Sequence, residues 1–271
     1  MQKAPSDFNW NIGIETIRSA FSISASSAPG PDGIPYAAWN KASDQLRGPL
    51  TQRIYNVINN DRNLPKNFDA SKMTFIPKGE TEGQSASISR QAQELRPLNL
   101  SNTDNKIIAL ILNEKLAELA QLIVSGQQRG FIKGRHIDDN ILQLEAAAIV
   151  HSLTNIKRAA MVLFDFSAAF PSVSHRWIFK VLEHMQIPSN IIHAIRELYK
   201  NSTASICINN VAYFTIGIYS GIKQGCPLSG TIFALAIDPL IRYLLAASVL
   251  GSMQITAYAD DLAIVIANLF T

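Results

Sequence analysis

The chain has 271 residues, 47% of them hydrophobic and 17% charged, with a net charge of +3. That is a globular profile with ample length for one large domain or two lobes, and it excludes a chain too polar to fold. Two cysteines (Cys207 and Cys226) and five histidines provide no disulfide framework and no zinc spacing. A reduced intracellular setting, nucleus or cytoplasm, is expected. The mildly basic balance permits nucleic-acid binding without arguing for it.

In chain order, helices are expected over 12–25 and 36–60, joined by the turn-rich connector Ala28-Pro29-Gly30-Pro31-Asp32-Gly33-Ile34-Pro35. A strand is expected over 69–77, ending at Pro77-Lys78-Gly79, and a polar loop over 79–94. Ile107, Ile108, Ile111, Leu112 and Leu116 recur at helical spacing and predict a helix over about 101–124. Another helix, over about 138–152, follows the basic, glycine-containing stretch Arg129 to Arg135. Ala159 to Phe164 is a continuous apolar run that predicts a strand buried on both faces.

Helices are then expected over 174–186 and 189–200, the second started by Pro188. A hairpin over 203–209 and 212–218 turns at Asn209-Asn210. Pro227 opens a long apolar helix. Its segment from Thr231 to Met253 is apolar enough to suggest a membrane span, but Asp238, Pro239 and Arg242 near the middle favour a buried helix. A last hairpin covers 253–267. Residues 1–20 lack a basic start followed by an apolar stretch, so no signal peptide is expected. The mixture of helices and strands, without regular βαβα alternation, predicts an α+β fold with helices packed on a mostly antiparallel sheet.

The chemistry centres on Tyr258-Ala259-Asp260-Asp261, two adjacent carboxylates between apolar runs, read as the turn of a hairpin. Adjacent carboxylates repel in a low-dielectric site and call for a cation; their hard oxygens suit Mg²⁺. The alternative is a solvated turn, since Asp is a common turn residue. Asp165 ends the apolar strand. If the two elements are neighbours in one sheet, three carboxylates converge as in a two-metal site. Asp165 as a simple strand cap is the alternative. The small residues Ser167, Ala168 and Ala169 leave backbone amides open to phosphate oxygens. Phe170 either closes one side of a nucleotide pocket or is a plain core aromatic.

Several blocks together resemble the reverse transcriptases of non-long-terminal-repeat (LINE-type) retrotransposons. Ala28 to Pro35 is similar to that family's Pro-Gly-Pro-Asp-Gly-Ile-Pro motif. Lys72 to Lys78, with Arg96 to Asn102, resembles its fingers segment. Gln128-Arg129-Gly130-Phe131 through Gly134-Arg135, with Asp139-Asn140-Ile141, resembles the next block. Phe164 to Phe170 resembles palm motif A, Gly221 to Ser229 with Asp238-Pro239-Leu240 motif B, and Tyr258 to Asp261 motif C. The likeness covers about 28–266, and the order of the blocks makes it specific.

The resemblance implies a right-hand polymerase fold of fingers (mainly 1–158) and palm (mainly 159–271), an antiparallel palm sheet packed on helices, and a thumb missing after motif C. It implies Asp165, Asp260 and Asp261 as catalytic metal ligands, with the Phe166 carbonyl completing a shell around two Mg²⁺ ions, or Mn²⁺ in their place. It further implies Phe170 as a steric gate against a ribose 2′-hydroxyl. Lys78, Arg96, Ala168, Ala169, Gln224 and Gly225 would bind nucleotide. Arg suits a triphosphate because its planar fork binds phosphate at two points. Arg129, Lys133, Arg135, Tyr258 and Ala259 would meet template or primer. The alternative for the basic stretch is a solvated loop.

The implied partners are an RNA template, a DNA primer and dNTP, and the implied reaction is RNA-directed DNA synthesis. Pro171 stands where many members carry a second Asp after the motif A aromatic, and altered local packing is expected there. An RNA-dependent RNA polymerase and a catalytically silent nucleic-acid-binding or pseudogene fragment are the alternative readings.

Overall fold

The computed structural model describes residues 1–22, 27–79, 91–153, 159–209, 211–247 and 253–266. In chain order the elements are α1 (Ile14–Ala20), α2 (Tyr36–Lys41), α3 (Asp44–Asn59), β1 (Ala70–Pro77), β2 (Leu95–Ser101), α4 (Thr103–Ile123), α5 (Ile137–Leu153) and β3 (Ala160–Phe164). There follow α6 (Ala169–Ser172), α7 (His175–His184), α8 (Ser189–Tyr199), β4 (Thr203–Ile208), β5 (Val211–Gly217), α9 (Ser229–Ala247), β6 (Met253–Tyr258) and β7 (Asp261–Ile266).

These elements form two compact units that interleave along the sequence. One holds 11–112 and 189–229; the other holds 1–10, 113–188 and 230–271. Pairing between β1 and β4 joins 189–229 to the earlier segment.

In the unit of 11–112 and 189–229, four strands run in the order β2-β1-β4-β5. β1 pairs antiparallel with β2, from Ser71↔Ser101 to Pro77↔Leu95, and parallel with β4, so the sheet is mixed. β2 was not expected as a strand. Pro97 inside it cannot donate to a ladder, which suits the sheet edge that β2 occupies. The expected β4–β5 hairpin forms with Asn209 at φ 50°; position 210, like positions 80–90 of the expected polar loop, lies outside the described residues.

The helix expected over 36–60 is broken at Ala42 and Ser43, whose ψ values of 140° and 161° are extended. The Ser43 carbonyl accepts the amides of Leu46 and Arg47, both at 3.0 Å, and so starts α3. Ile54, Val57 and Ile58 of α3 are fully buried where this helix packs on α8. Also buried is an ion pair between Lys223 and Asp69. Asn105 donates to the same Asp69 oxygen at 3.1 Å, and the Lys223 ammonium also donates to the Leu198 carbonyl at 2.9 Å.

In the other unit, three strands form an antiparallel sheet in the order β3-β7-β6. One face packs on α9: Ile255, Ala257, Leu262 and Ile264 cluster with Ile241, and Ile237, Leu244 and Leu245 flank them. On β6 and β7 the sheet also carries α5. Strand β3 departs from the expectation of burial on both faces. Met161 is 47% and Leu163 71% exposed, because β3 lies at the sheet edge and, among the described residues, pairs only with β7.

Helix α9 is long and apolar enough to cross a membrane by length and composition. Here it is a core helix, as its mid-helix charges predict. Asp238 is fully buried, accepts the Ser125 amide at 2.7 Å and pairs with Arg242 at 2.6 Å.

Candidate active site

The acid-bearing hairpin is closed by a two-residue turn, Ala259-Asp260, between Tyr258 and its partner Asp261. Ala259 has φ 55°, a left-handed conformation that costs an L-residue about 1 kcal/mol or more. The segment 127–130 braces it. Gln127 accepts the Ala257 amide and Arg129 donates to the Ala257 carbonyl, both at 2.9 Å, so a short parallel bridge is added to β6.

The fully buried Gln128 side chain reaches the turn itself. Its Oε1 accepts the Ala259 amide at 2.9 Å, and its Nε2 donates to the Ala259 carbonyl at 3.0 Å. Gly130 makes this approach possible, since a Cβ there would lie 2.1 Å from the Ala259 nitrogen.

Asp165 follows the last registered pair of β3 and β7, Phe164↔Leu262, so continuing the ladder brings it beside Asp261. Asp165 and Asp261 are exposed and Asp260 is half-buried. The three acids therefore belong to one end of one sheet. Among the described residues none of them is in an ion pair, and no three His, Cys, Asp or Glu side chains close into a metal cage. The donor set fits a hard divalent cation in chemical type: three carboxylates at one end of one sheet, with no ion-pair partner among the described residues. The side chains are gathered less tightly than the sequence reading expects.

After Asp165 the chain turns through Ala168, at φ 52° and ψ 43°, into the short α6. The Ser172 hydroxyl donates to the Ala168 carbonyl at 2.7 Å and steadies this turn; Pro171 lies within it. Phe170 is half-buried. Its ring stacks on Phe233 at 4.4 Å and meets Phe131 edge-on at 5.7 Å, so it is at once a packed aromatic and a partly open one. Phe166 packs against the α9 cluster and lines an apolar cavity of about 400 Å³ with Trp177, Phe233 and Ile237.

The basic stretch divides by role. Arg129 is only 8% exposed and donates to Asn140 at 2.5 Å, with Asp139 at 3.7 Å. Arg135 donates to the carbonyls of Ser125 and Gln128 at 2.6 Å and of Val124 at 3.0 Å, closing the end of α4. Both guanidinium groups are thus engaged with partners within the protein. Lys133 is exposed and Tyr258 half-buried.

The remaining expected nucleotide residues lie in the other unit. Lys78 and Arg96 are exposed, at the end of β1 and on β2. Gln224 accepts the Asn99 amide at 2.9 Å. Gly225 has φ 99°, with the Asn99 carbonyl 2.8 Å from where a Cβ would sit, so the motif B turn is docked on β2. The Pro-Gly-Pro-Asp connector is docked in the same unit. A Cβ at Gly30 would lie 2.3 Å from the Asn102 nitrogen, and Thr103 donates to the Ile34 carbonyl at 2.8 Å. Beside it, burial pushes the Asp104 carboxyl up to about 6, helped by the charge of Asp32.

Residues 76–269 match the family described as reverse transcriptase (RNA-dependent DNA polymerase). The chain belongs to this family. The reverse transcriptase resemblance read from the ordered blocks is thereby borne out.

Among its relatives is the Pol polyprotein of the type-2 retrotransposable element R2DM of Drosophila melanogaster, 28% identical over 93% of this chain and 23% of that protein. A type-1 retrotransposable element R2 polyprotein of Nasonia vitripennis is 26% identical over 87% of the chain and 22% of its own length. The transposon TX1 149 kDa protein of Xenopus laevis is 26% identical over 89% and 18%. This reverse transcriptase sequence thus spans about a fifth of the relatives it matches. Its fold is similar to apo telomerase from Candida tropicalis, with a TM-score of 0.53 at 11% identity, over 87% of this chain and 50% of that one.

Proposed function

We propose that this reverse transcriptase chain carries the nucleotidyl-transfer site of an RNA-directed DNA polymerase from a non-long-terminal-repeat retrotransposable element. The observation that carries the reading is the β3–β7 register, whose last pair Phe164↔Leu262 leaves Asp165 and Asp261 next in line, beside Asp260, at one end of the β3-β7-β6 sheet. A primer 3′-hydroxyl attacks the α-phosphate of a dNTP, and pyrophosphate leaves. Asp165, Asp260 and Asp261, with the Phe166 carbonyl, would hold two Mg²⁺ ions. When bound, these supply Lewis-acid stabilisation of the attacking and departing oxygens.

The other residues bind and orient. Arg96 and Lys78 meet the triphosphate, and the backbone at Ala168 and Ala169 meets phosphate oxygens. Gln224 and Gly225 line the nucleotide and template side. Phe170 rejects the 2′-hydroxyl, and its partly open ring, fixed by Phe233, suits a rigid wall. Tyr258 and Ala259 approach the primer end, and Lys133 the template backbone. An RNA template is read by base pairing while the protein senses duplex shape. Work on such partners is intracellular, in nucleus or cytoplasm.

Primer extension on poly(rA)/oligo(dT) with Mg²⁺ tests the reading. Template-dependent incorporation of dTTP is expected, with Asp260→Asn reducing it at least about 100-fold, the scale of removing a principal transition-state stabiliser. Equal incorporation by the unmodified chain and the variant would sink the proposal.

A further inference from the structure

We infer that Gln128 is the positioning residue of the acid-bearing turn: its carboxamide holds Ala259 in the left-handed conformation from which Asp260 and Asp261 are presented. The inference rests on the reading of that turn as part of a nucleotidyl-transfer site. An alanine at φ 55° is a strained choice for the first residue of a two-residue hairpin turn, a place that favours glycine. Such a conformation persists only where the surroundings over-determine it.

Gln128 supplies that over-determination. Its Oε1 accepts two amides, from Ala259 at 2.9 Å and from Gly130 at 2.8 Å, and its Nε2 donates to the Ala259 carbonyl at 3.0 Å. Both polar atoms of Ala259 are therefore held by one rigid group, and a primary carboxamide offers an acceptor and a donor side by side. Gln128 and Ala259 are both buried, so rotating either peptide of the turn would strand a polar atom without a partner. The brace is anchored on both sides. The bridge to Ala257 fixes its height along β6, and Gly130, without a side chain, lets it close on the turn.

The test uses the full chain, with Gln128→Ala and the double variant Gln128→Ala/Ala259→Gly. In the unmodified chain the Ala259 amide is expected to be protected from hydrogen exchange, and in Gln128→Ala unprotected. For primer extension, kcat is expected to fall roughly 100-fold, the scale of a misplacement of about 1 Å, while the dNTP KM changes less than about twofold. Adding Ala259→Gly is expected to restore about tenfold, because glycine takes the left-handed conformation without strain. A role in stability alone predicts an unchanged kcat per folded molecule and a rescue confined to the unfolding midpoint, since glycine relieves the strain of the turn whatever the turn does.

If Gln128→Ala folds poorly, the similarly shaped Gln128→Met carries the same expectations. Unchanged kcat, a protected Ala259 amide in the variant, or no rescue would each overturn the inference. If the unmodified chain extends no primer, the polymerase reading falls. Exchange at Ala259 then decides the clamp by itself: protection lost in the variant upholds it, and an unprotected amide in the unmodified chain overturns it.

Discussion

Asp104 shows how one residue sets a pH dependence. It stands in the first turn of α4, where the helix dipole favours a carboxylate, and its Oδ1 accepts the Asn105 amide at 2.7 Å. Burial outweighs both and, with the charge of Asp32, lifts its pKa to about 6. A carboxyl raised on folding prefers its proton in the native state. Its contribution is complete below the ordinary value of 3.8 and is lost as pH rises through about 6. Asp104→Asn keeps the acceptor and removes the charge. It is expected to match the parent below about pH 4 and to exceed it by on the order of 2 kcal/mol at pH 8. Urea unfolding across that range measures the difference, and a constant offset at every pH would refute the account. Little at this scale was readable beforehand. Asp260 and Asp261 announce themselves as adjacent acids, whereas Gln128 meets Ala259 across 131 positions, and no local pattern encodes such a partner.

Elements were far more legible than residues, and the exceptions have physical causes. Helices α7 and α8 and the two hairpins follow from periodicity and turn residues. β3 reads as a doubly buried strand because its residues are apolar, yet exposure depends on a place at the sheet edge that the run does not reveal. β2 is not predicted by its sequence because Pro97 argues against a strand unless the strand lies at an edge. The basic stretch 129–135 shows the same limit, since charge count predicts contact with a polyanion but not which cations are already used. Arg135 closes the carbonyl end of α4 through a planar fork that Lys cannot reproduce. Arg135→Lys is therefore expected to cost about 2 kcal/mol of stability and to leave the salt dependence of RNA binding unchanged. Lys133→Ala is expected to leave stability unchanged and to reduce the slope of log affinity against log salt by about one. Denaturant unfolding and salt-titrated RNA binding separate the two, and a reduced slope in Arg135→Lys would return that residue to the template face.

The whole molecule is organised as two units interleaved in sequence, each with its own sheet and an ion pair on a buried carboxylate. Asp69–Lys223 belongs to the sheet containing β1 and β4, and Asp238–Arg242 to the one containing β6 and β7. Chain order therefore does not decide which segments lose structure together; the long-range pairings do, because protection is lost in cooperative units built from mutual contacts. Lys223 is the sharpest probe, since it joins the motif B turn to Asp69 and to the Leu198 carbonyl inside one unit. Lys223→Met leaves Asp69 without its cation, and breaking a buried pair in this way costs about 3–5 kcal/mol. Hydrogen exchange is expected to accelerate in β1 and β4, segments more than 120 positions apart, and to stay unchanged in β6 and β7. Adding Asp69→Asn removes the stranded charge and is expected to recover most of the loss, since Asn105 can still bond the new amide. Faster exchange spread evenly over all four strands would show that the molecule opens as one body, and failure of Asp69→Asn to recover protection would show that Lys223 acts through packing rather than charge.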